Sequence, residues 1–125
     1  PNMTPLAEPT PVTTKPNPLK LNALQLKTMT VLQQLARTPI FSSADEANGE
    51  VVVHGFPRAH GNHFHIGDAV VMAKDMTGLN NPNVWSALAR KGLAKGNYPG
   101  SITLTAEGVG YQTGIEEKVL LRSDH

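Results

Sequence analysis

The stretch that most constrains the fold lies between residues 77 and 108, where helix-breaking residues bracket a short amphipathic run. Gly78 and the two asparagines before Pro82 form a turn signal, because glycine takes positive φ and asparagine tolerates turn geometry. An asparagine can cap the following helix, and proline is well tolerated at its first position. We therefore predict a short helix from Pro82 that presents Trp85 to the core and stops at Gly92.

A polar β-hairpin is predicted directly after this helix. Its turn is placed at residues 96–100, and Ile102 and Leu104 alternate so that both face inward. Thr105 then follows as a cap for one further turn of helix. The short helix and the hairpin are therefore expected to pack on one hydrophobic core.

This order of elements resembles the winged helix–turn–helix domains of small bacterial transcription regulators of the MarR type. The shared pattern is a helix ending in Leu-x-x-Lys-Gly-Leu, a hairpin, and then Leu-Thr-x-x-Gly. The matching residues here are Leu88, Lys91, Gly92, Leu93, Leu104, Thr105 and Gly108. The resemblance implies an α+β fold with a three-helix core and a C-terminal β-hairpin wing, and it implies a DNA-binding transcriptional regulator.

The chain of 125 residues is long enough for one domain with a modest aliphatic core. Residues 1–20 are rich in proline and threonine, so we interpret them as a flexible tail that could dock a protein partner. The winged-helix domain is assigned to residues 21–114, and residues 115–125 form a C-terminal segment. No apolar run reaches the roughly 20 residues that cross a bilayer, so we predict a cytoplasmic protein without membrane contact.

The first helix is predicted over residues 21–38. Asn22 is a favourable cap, and Gln25 three residues later completes a capping-box pattern. Pro39 ends the helix, because proline disfavours continuation. In the winged-helix interpretation, this helix packs across the other two.

Between this helix and the capped short helix, residues 42–49 are predicted to form a polar loop. Residues 50–54 and 63–66 are predicted as strands of an inserted, histidine-rich β-hairpin. Residues 69–76 are predicted as the second helix of the helix–turn–helix, with a continued strand as the alternative. The whole interpretation, DNA binding included, requires this segment to be helical and a β-ribbon to follow Leu93.

In this interpretation, the short helix enters the DNA major groove. Between Asp75 and Glu107 the chain carries no acidic residue, although its net charge is only +1. The predicted contacts are Asn81, Asn83 and Ser86 at base edges, and Arg90, Lys91 and Lys95 at phosphates. A homodimer is expected, because one such module buries too little surface for tight binding.

Two other interpretations of this region remain open. The cations could simply be a solvated helix end that complements the helix dipole. The domain could also be a non-enzymatic module that binds a larger protein assembly, since a fold does not determine a function. No motif for phosphate cradling, dinucleotide binding or nucleophilic catalysis is present, so we predict no enzyme activity.

A histidine set is the feature that the predicted fold explains least. Imidazoles two residues apart on a strand face the same way, as a zinc or copper site requires. The candidate ligands are His54, His60, His63 and His65. We predict no cofactor unless these histidines bind zinc. The alternatives are polar residues on the wet face of a hairpin, or a contact surface that responds to pH.

Overall fold

The computed structural model describes residues 15–122, apart from the side chain of Asn97. Within that range the chain forms four α-helices and seven short strands. The helices are α1 (Ala23–Ala36), α2 (Pro82–Arg90), α3 (Ala106–Val109) and α4 (Glu116–Val119). The strands are β1 (Ser42–Asp45), β2 (Glu50–Val53), β3 (His63–Ile66), β4 (Ala69–Met72), β5 (Ala94–Asn97), β6 (Ser101–Leu104) and β7 (Leu121–Arg122).

The strands form two antiparallel sheets. The larger sheet has the order β1-β2-β6-β5, and the smaller has the order β3-β4-β7. In the larger sheet β2 pairs with β6, so that Val51 lies opposite Leu104 and Val53 lies opposite Ile102. All four of these side chains are buried, and they give the sheet the apolar face on which the helices pack.

Helix α1 runs through the core. Its predicted capping box is confirmed: the Asn22 side chain accepts from the Gln25 backbone N–H at 2.8 Å, and the Gln25 side chain accepts from the Asn22 N–H at 3.0 Å. Every residue of the helix from Thr28 to Leu35 is buried. Burial on all sides is typical of a helix that is covered by other helices and strands around its whole circumference. The amide of Gln34 donates to the Ile66 carbonyl at 3.0 Å and so ties α1 to the smaller sheet.

The predicted three-helix core is wrong, because the segment assigned to the second helix is extended. Ala69–Met72 is strand β4, which pairs along its full length with β3, and two 3₁₀ turns follow it at Ala73–Asp75 and Thr77–Asn80. Gly67 at φ 62° closes a two-residue turn between the strands. Alternate residues of β4 are buried, which is the period of a strand and suits its two consecutive valines.

The inserted hairpin and the polar loop are also corrected. The two strands predicted to form one hairpin belong to different sheets, since β2 pairs with β1 and β6, whereas β3 pairs with β4. Part of the predicted loop, Ser42–Asp45, is the exposed edge strand β1. An edge strand needs little apolar content, because only one backbone side pairs and its side chains can face solvent.

The capped helix, the hairpin and the final helical cap predicted for the region that follows are present. The predicted C-terminal wing is wrong, because β6 pairs with β2 as well as with β5, so the hairpin is part of the larger sheet, and α3, α4 and β7 follow it. Asn81 caps α2, and its side chain accepts from the Asn83 backbone N–H at 2.9 Å. The hairpin β5–β6 follows, and Thr105 caps α3 by accepting from the Gly108 N–H at 3.1 Å. Trp85 is only 6% exposed and belongs to the core, as expected.

Both ends of the described range contact the rest of the fold. The Asn17 backbone N–H donates to the Gln112 carbonyl, and the Tyr111 hydroxyl donates to Asn17 Oδ1 at 2.7 Å. Strand β7 pairs with β4. Most of the predicted tail, with its proposed partner-docking role, lies in residues 1–14, outside the described residues. No helix within residues 15–122 is long and apolar enough to cross a membrane.

Candidate nucleic-acid interface

Helix α2 has one buried and one exposed face. Its buried residues are Val84, Trp85, Ala87 and Leu88, which pack into the core. The remaining face carries Asn83, Ser86 and Arg90, all exposed. Because these three positions are separated by three and four residues, they lie in one row along the helix. The result is a short polar stripe that ends in a cation.

The six predicted DNA-contact residues differ in whether their side chains already form contacts within the chain. Asn81 is half-buried and its side-chain oxygen is engaged in capping α2. Lys91 Nζ donates to the Leu19 carbonyl oxygen at 3.1 Å. Lys95 Nζ lies 2.9 Å from Glu50 Oε2. Among the described residues Arg90 forms no ion pair, so it is the least encumbered cation of the predicted set.

A shallow groove separates α2 from the hairpin β5–β6. It encloses about 160 Å³ and is lined by Pro82, Trp85, Ser86, Ala89, Lys95, Gly96, Tyr98 and Ile102. The Tyr98 ring meets the Trp85 ring edge-on, with centroids 4.8 Å apart, and the Tyr98 hydroxyl donates to the Asn80 carbonyl. Trp85 Nε1 is buried without a hydrogen-bond partner among the described residues.

Tyr98, Glu50 and Leu19 were missed by the sequence analysis, although all three shape this surface. Tyr98 lines the groove. Glu50 forms an ion pair with Lys95, and the Leu19 carbonyl accepts a hydrogen bond from Lys91. The prediction of a polar turn at residues 96–100 places Tyr98 near the surface. Nothing local to Glu50 or Leu19 indicates the partner that each one meets in the folded chain.

The four candidate metal ligands separate into a group of three and a single residue. His54 follows β2 and contacts Ser43 Oγ through Nε2 at 3.3 Å, in the larger sheet. The rings of His60, His63 and His65 lie together at the smaller sheet, with centroid separations of 4.9, 5.1 and 6.2 Å. Within residues 15–122, no group of three or more His, Cys, Asp or Glu side chains is placed to hold a metal ion as it stands.

A larger cavity of about 630 Å³ lies elsewhere, between the end of α1, α4 and β7. Its lining mixes cations and anions, including Arg37, Glu116 and Glu117, and Arg122 lies 3.6 Å from Asp68 at its edge. No local sequence pattern predicts this cavity, because its walls come from three separate stretches of the chain, within residues 34–37, 68–69 and 116–122.

Comparison of the chain with protein-family models, curated proteins and solved structures finds no significant match. The resemblance to MarR-type regulators therefore has no support from relatives, and a regulatory function stays a prediction.

Proposed function

We propose that the protein binds double-stranded DNA through the exposed face of α2 and the adjoining hairpin β5–β6. The observation that carries the proposal is the polar stripe of Asn83, Ser86 and Arg90, which remains exposed while the opposite face is buried. The extended segment Ala69–Met72 removes the helix–turn–helix on which the sequence-based prediction depended. The proposal therefore rests on α2 and the hairpin alone.

The surface has suitable chemistry for such contacts. The major groove, about 12 Å wide, admits one α-helix, and asparagine and serine can hydrogen-bond to base edges there. Arg90 is exposed in the last turn of α2, where it can reach a phosphate, and Lys91 follows it. The sequence between Asp75 and Glu107 contains no acidic residue, and Glu50, which comes from β2, pairs with Lys95 beside the groove. We assign base contacts to Asn83 and Ser86, and phosphate contacts to Arg90 and Lys91.

A homodimer belongs to the same proposal. A single nine-residue helix offers little contact surface, and specific DNA complexes bury roughly 1,000–2,500 Å² of protein surface. Two copies with α2 in adjacent half-sites would supply that area. Light scattering coupled to size exclusion, with and without a duplex, measures whether two chains assemble on one DNA molecule.

Fluorescence anisotropy of a labelled duplex at increasing salt concentration tests the proposal. We expect binding at low ionic strength that weakens as salt rises, because phosphate contacts release counterions. Arg90→Ala should weaken binding on every sequence and lower the salt slope by about one unit. Arg37→Ala is the matched control, since Arg37 is also exposed at a helix end but lines the cavity beside α4. Absent binding at low salt, or equal losses in both variants, would contradict the proposal.

A second candidate function is protein binding at the same surface. Two of the three cations are engaged within the chain, and the groove beside α2 has an aromatic lining that includes the 40%-exposed Tyr98. Aromatic residues in such grooves anchor apolar side chains of partners. The salt titration separates the two functions. Binding through phosphate contacts weakens as salt rises, because counterions are released, whereas binding of an apolar side chain in this groove releases none.

A further inference from the structure

We propose that His60, His63 and His65 form a site for one divalent transition-metal ion of the Zn²⁺ class. The three rings lie on one face of the β3 hairpin region, where His60 and His65 are exposed and His63 is half-buried. The site is independent of the proposed DNA-binding surface, because none of its residues lies on α2, β5 or β6.

The backbone brings the three imidazoles together before any metal binds. His60 and His63 exchange two backbone hydrogen bonds, at 2.7 and 3.3 Å, across a two-residue turn that Gly61 allows with φ 67°. Residues paired in this way in an antiparallel ladder project their side chains from the same face. His65 lies two residues beyond His63 on the same strand, so it shares that face.

Two of the three ring separations match those expected for coordination of a single ion. With Zn–N bonds of about 2.0–2.1 Å and tetrahedral angles, two imidazole rings on one zinc ion have centroids about 5 Å apart. The observed separations are 4.9 Å for His63 and His65, 5.1 Å for His60 and His65, and 6.2 Å for His60 and His63. Only the last pair must close by about an ångström in such a geometry.

The nitrogen atoms must still be turned towards a common point, because the side chains do not hold an ion as they stand. His60 and His65 are exposed and His63 is half-buried, so rotation about their side-chain bonds is not blocked by core packing. His63 Nδ1 lies 3.4 Å from Asn62 Oδ1. In the tautomer with the proton on Nδ1, that contact is a hydrogen bond and Nε2 is the ligating nitrogen.

The chemistry of the donors selects the class of metal. Imidazole nitrogen suits zinc, copper and nickel, whereas magnesium and calcium prefer oxygen ligands. Three neutral imidazoles leave the ion with its full positive charge and at least one position for water or another ligand. We therefore assign a transition-metal ion and exclude Mg²⁺ and Ca²⁺ from this site.

Isothermal titration with ZnCl₂ tests this assignment on untagged protein, since an affinity tag would add histidines. We expect one Zn²⁺ per chain, and no heat from MgCl₂. His63→Ala and His60→Ala should each weaken Zn²⁺ binding at least about 10-fold. Losing a residue that only hydrogen-bonds to a metal ligand already costs about 10-fold, so losing a ligand should cost no less. His54→Ala is the matched control and should bind as the wild type does, because His54 directly follows β2 of the other sheet and contacts Ser43 there.

Circular dichroism of each variant checks the fold. If His63→Ala fails to fold, His60→Ala decides the question, because His60 is an exposed turn residue. Failure to bind Zn²⁺ stoichiometrically would overturn the assignment, and so would equal losses in His54→Ala and His60→Ala, which would show dispersed surface binding instead.

Discussion

Lys95 and Glu50 form an ion pair, with Nζ 2.9 Å from Oε2, that joins the hairpin β5–β6 to strand β2. The Lys95 side chain is 62% exposed, whereas that of Glu50 is 21% exposed. An ion pair this accessible to water contributes at most about 1 kcal/mol to stability. Its larger effect is electrostatic, because Glu50 cancels a cation beside the groove.

Glu50→Gln should therefore tighten duplex binding and leave the fold intact. Freeing Lys95 allows one more phosphate contact, which steepens the slope of log affinity against log salt by about 0.9. Anisotropy titrations at several salt concentrations measure both quantities. Glu117→Gln changes the net charge equally but lies in α4, so it should leave the slope unchanged. An identical slope in wild type and Glu50→Gln would count against a DNA contact by Lys95.

Gly108 and Leu93 approach each other so closely that only glycine fits. A Cβ added at residue 108 would lie 2.0 Å from the Leu93 carbonyl oxygen, a backbone atom that cannot rotate away. Gly108→Ala should lower the free energy of unfolding by about 1–3 kcal/mol, the usual cost of overpacking. Gly110→Ala is the control, because the nearest atom to its Cβ would be 3.7 Å away. Urea denaturation measures both; equal stabilities would refute the close approach.

The elements that sequence patterns predicted correctly are the ones whose signals are local. Asn22 with Gln25 begins α1, Asn81 begins α2, and Thr105 begins α3, each through a side-chain bond to a residue two or three positions on. Such a bond depends on sequence neighbours alone, so its pattern can be identified without knowledge of the fold.

The elements that were mispredicted depend on distant partners. Residues 69–76 contain apolar residues at both helical and strand spacing, and the pairing of β4 with β3 and β7 decides between them. The candidate interface shows the same limit. The three exposed residues of the stripe follow from helix periodicity, whereas the contact of Lys91 with Leu19 joins residues 72 positions apart.

Gln33 links α1 to α3 and to the chain just after it through its buried amide. Nε2 donates to the Tyr111 carbonyl at 2.7 Å and to the Gly108 carbonyl at 3.0 Å. Gln33→Leu removes the donor for both carbonyls, and we expect a loss of about 1–3 kcal/mol, because buried acceptors left without a partner are costly. Gln112→Leu makes the same chemical change on an exposed side chain and should be nearly neutral. Denaturation midpoints that shift equally would contradict this role.

Gly67 tests the corrected β3–β4 hairpin, because a helix over residues 69–76 would not need its geometry. It has φ 62°, and an added Cβ would lie 3.3 Å from both Gln34 Nε2 and Thr38 Oγ1 on α1. Gly61 has nearly the same φ, 67°, but no atom within 4 Å of an added Cβ.

Alanine at either position forces a left-handed backbone at a cost of about 1–2 kcal/mol. Gly67→Ala must also displace the amide that donates to the Ile66 carbonyl, so it should be the more destabilising change in urea denaturation. If Gly61→Ala costs as much as Gly67→Ala, the turn does not press against α1. If neither costs anything, the hairpin itself is wrong, and with it the backbone pairing that gathers the three histidines.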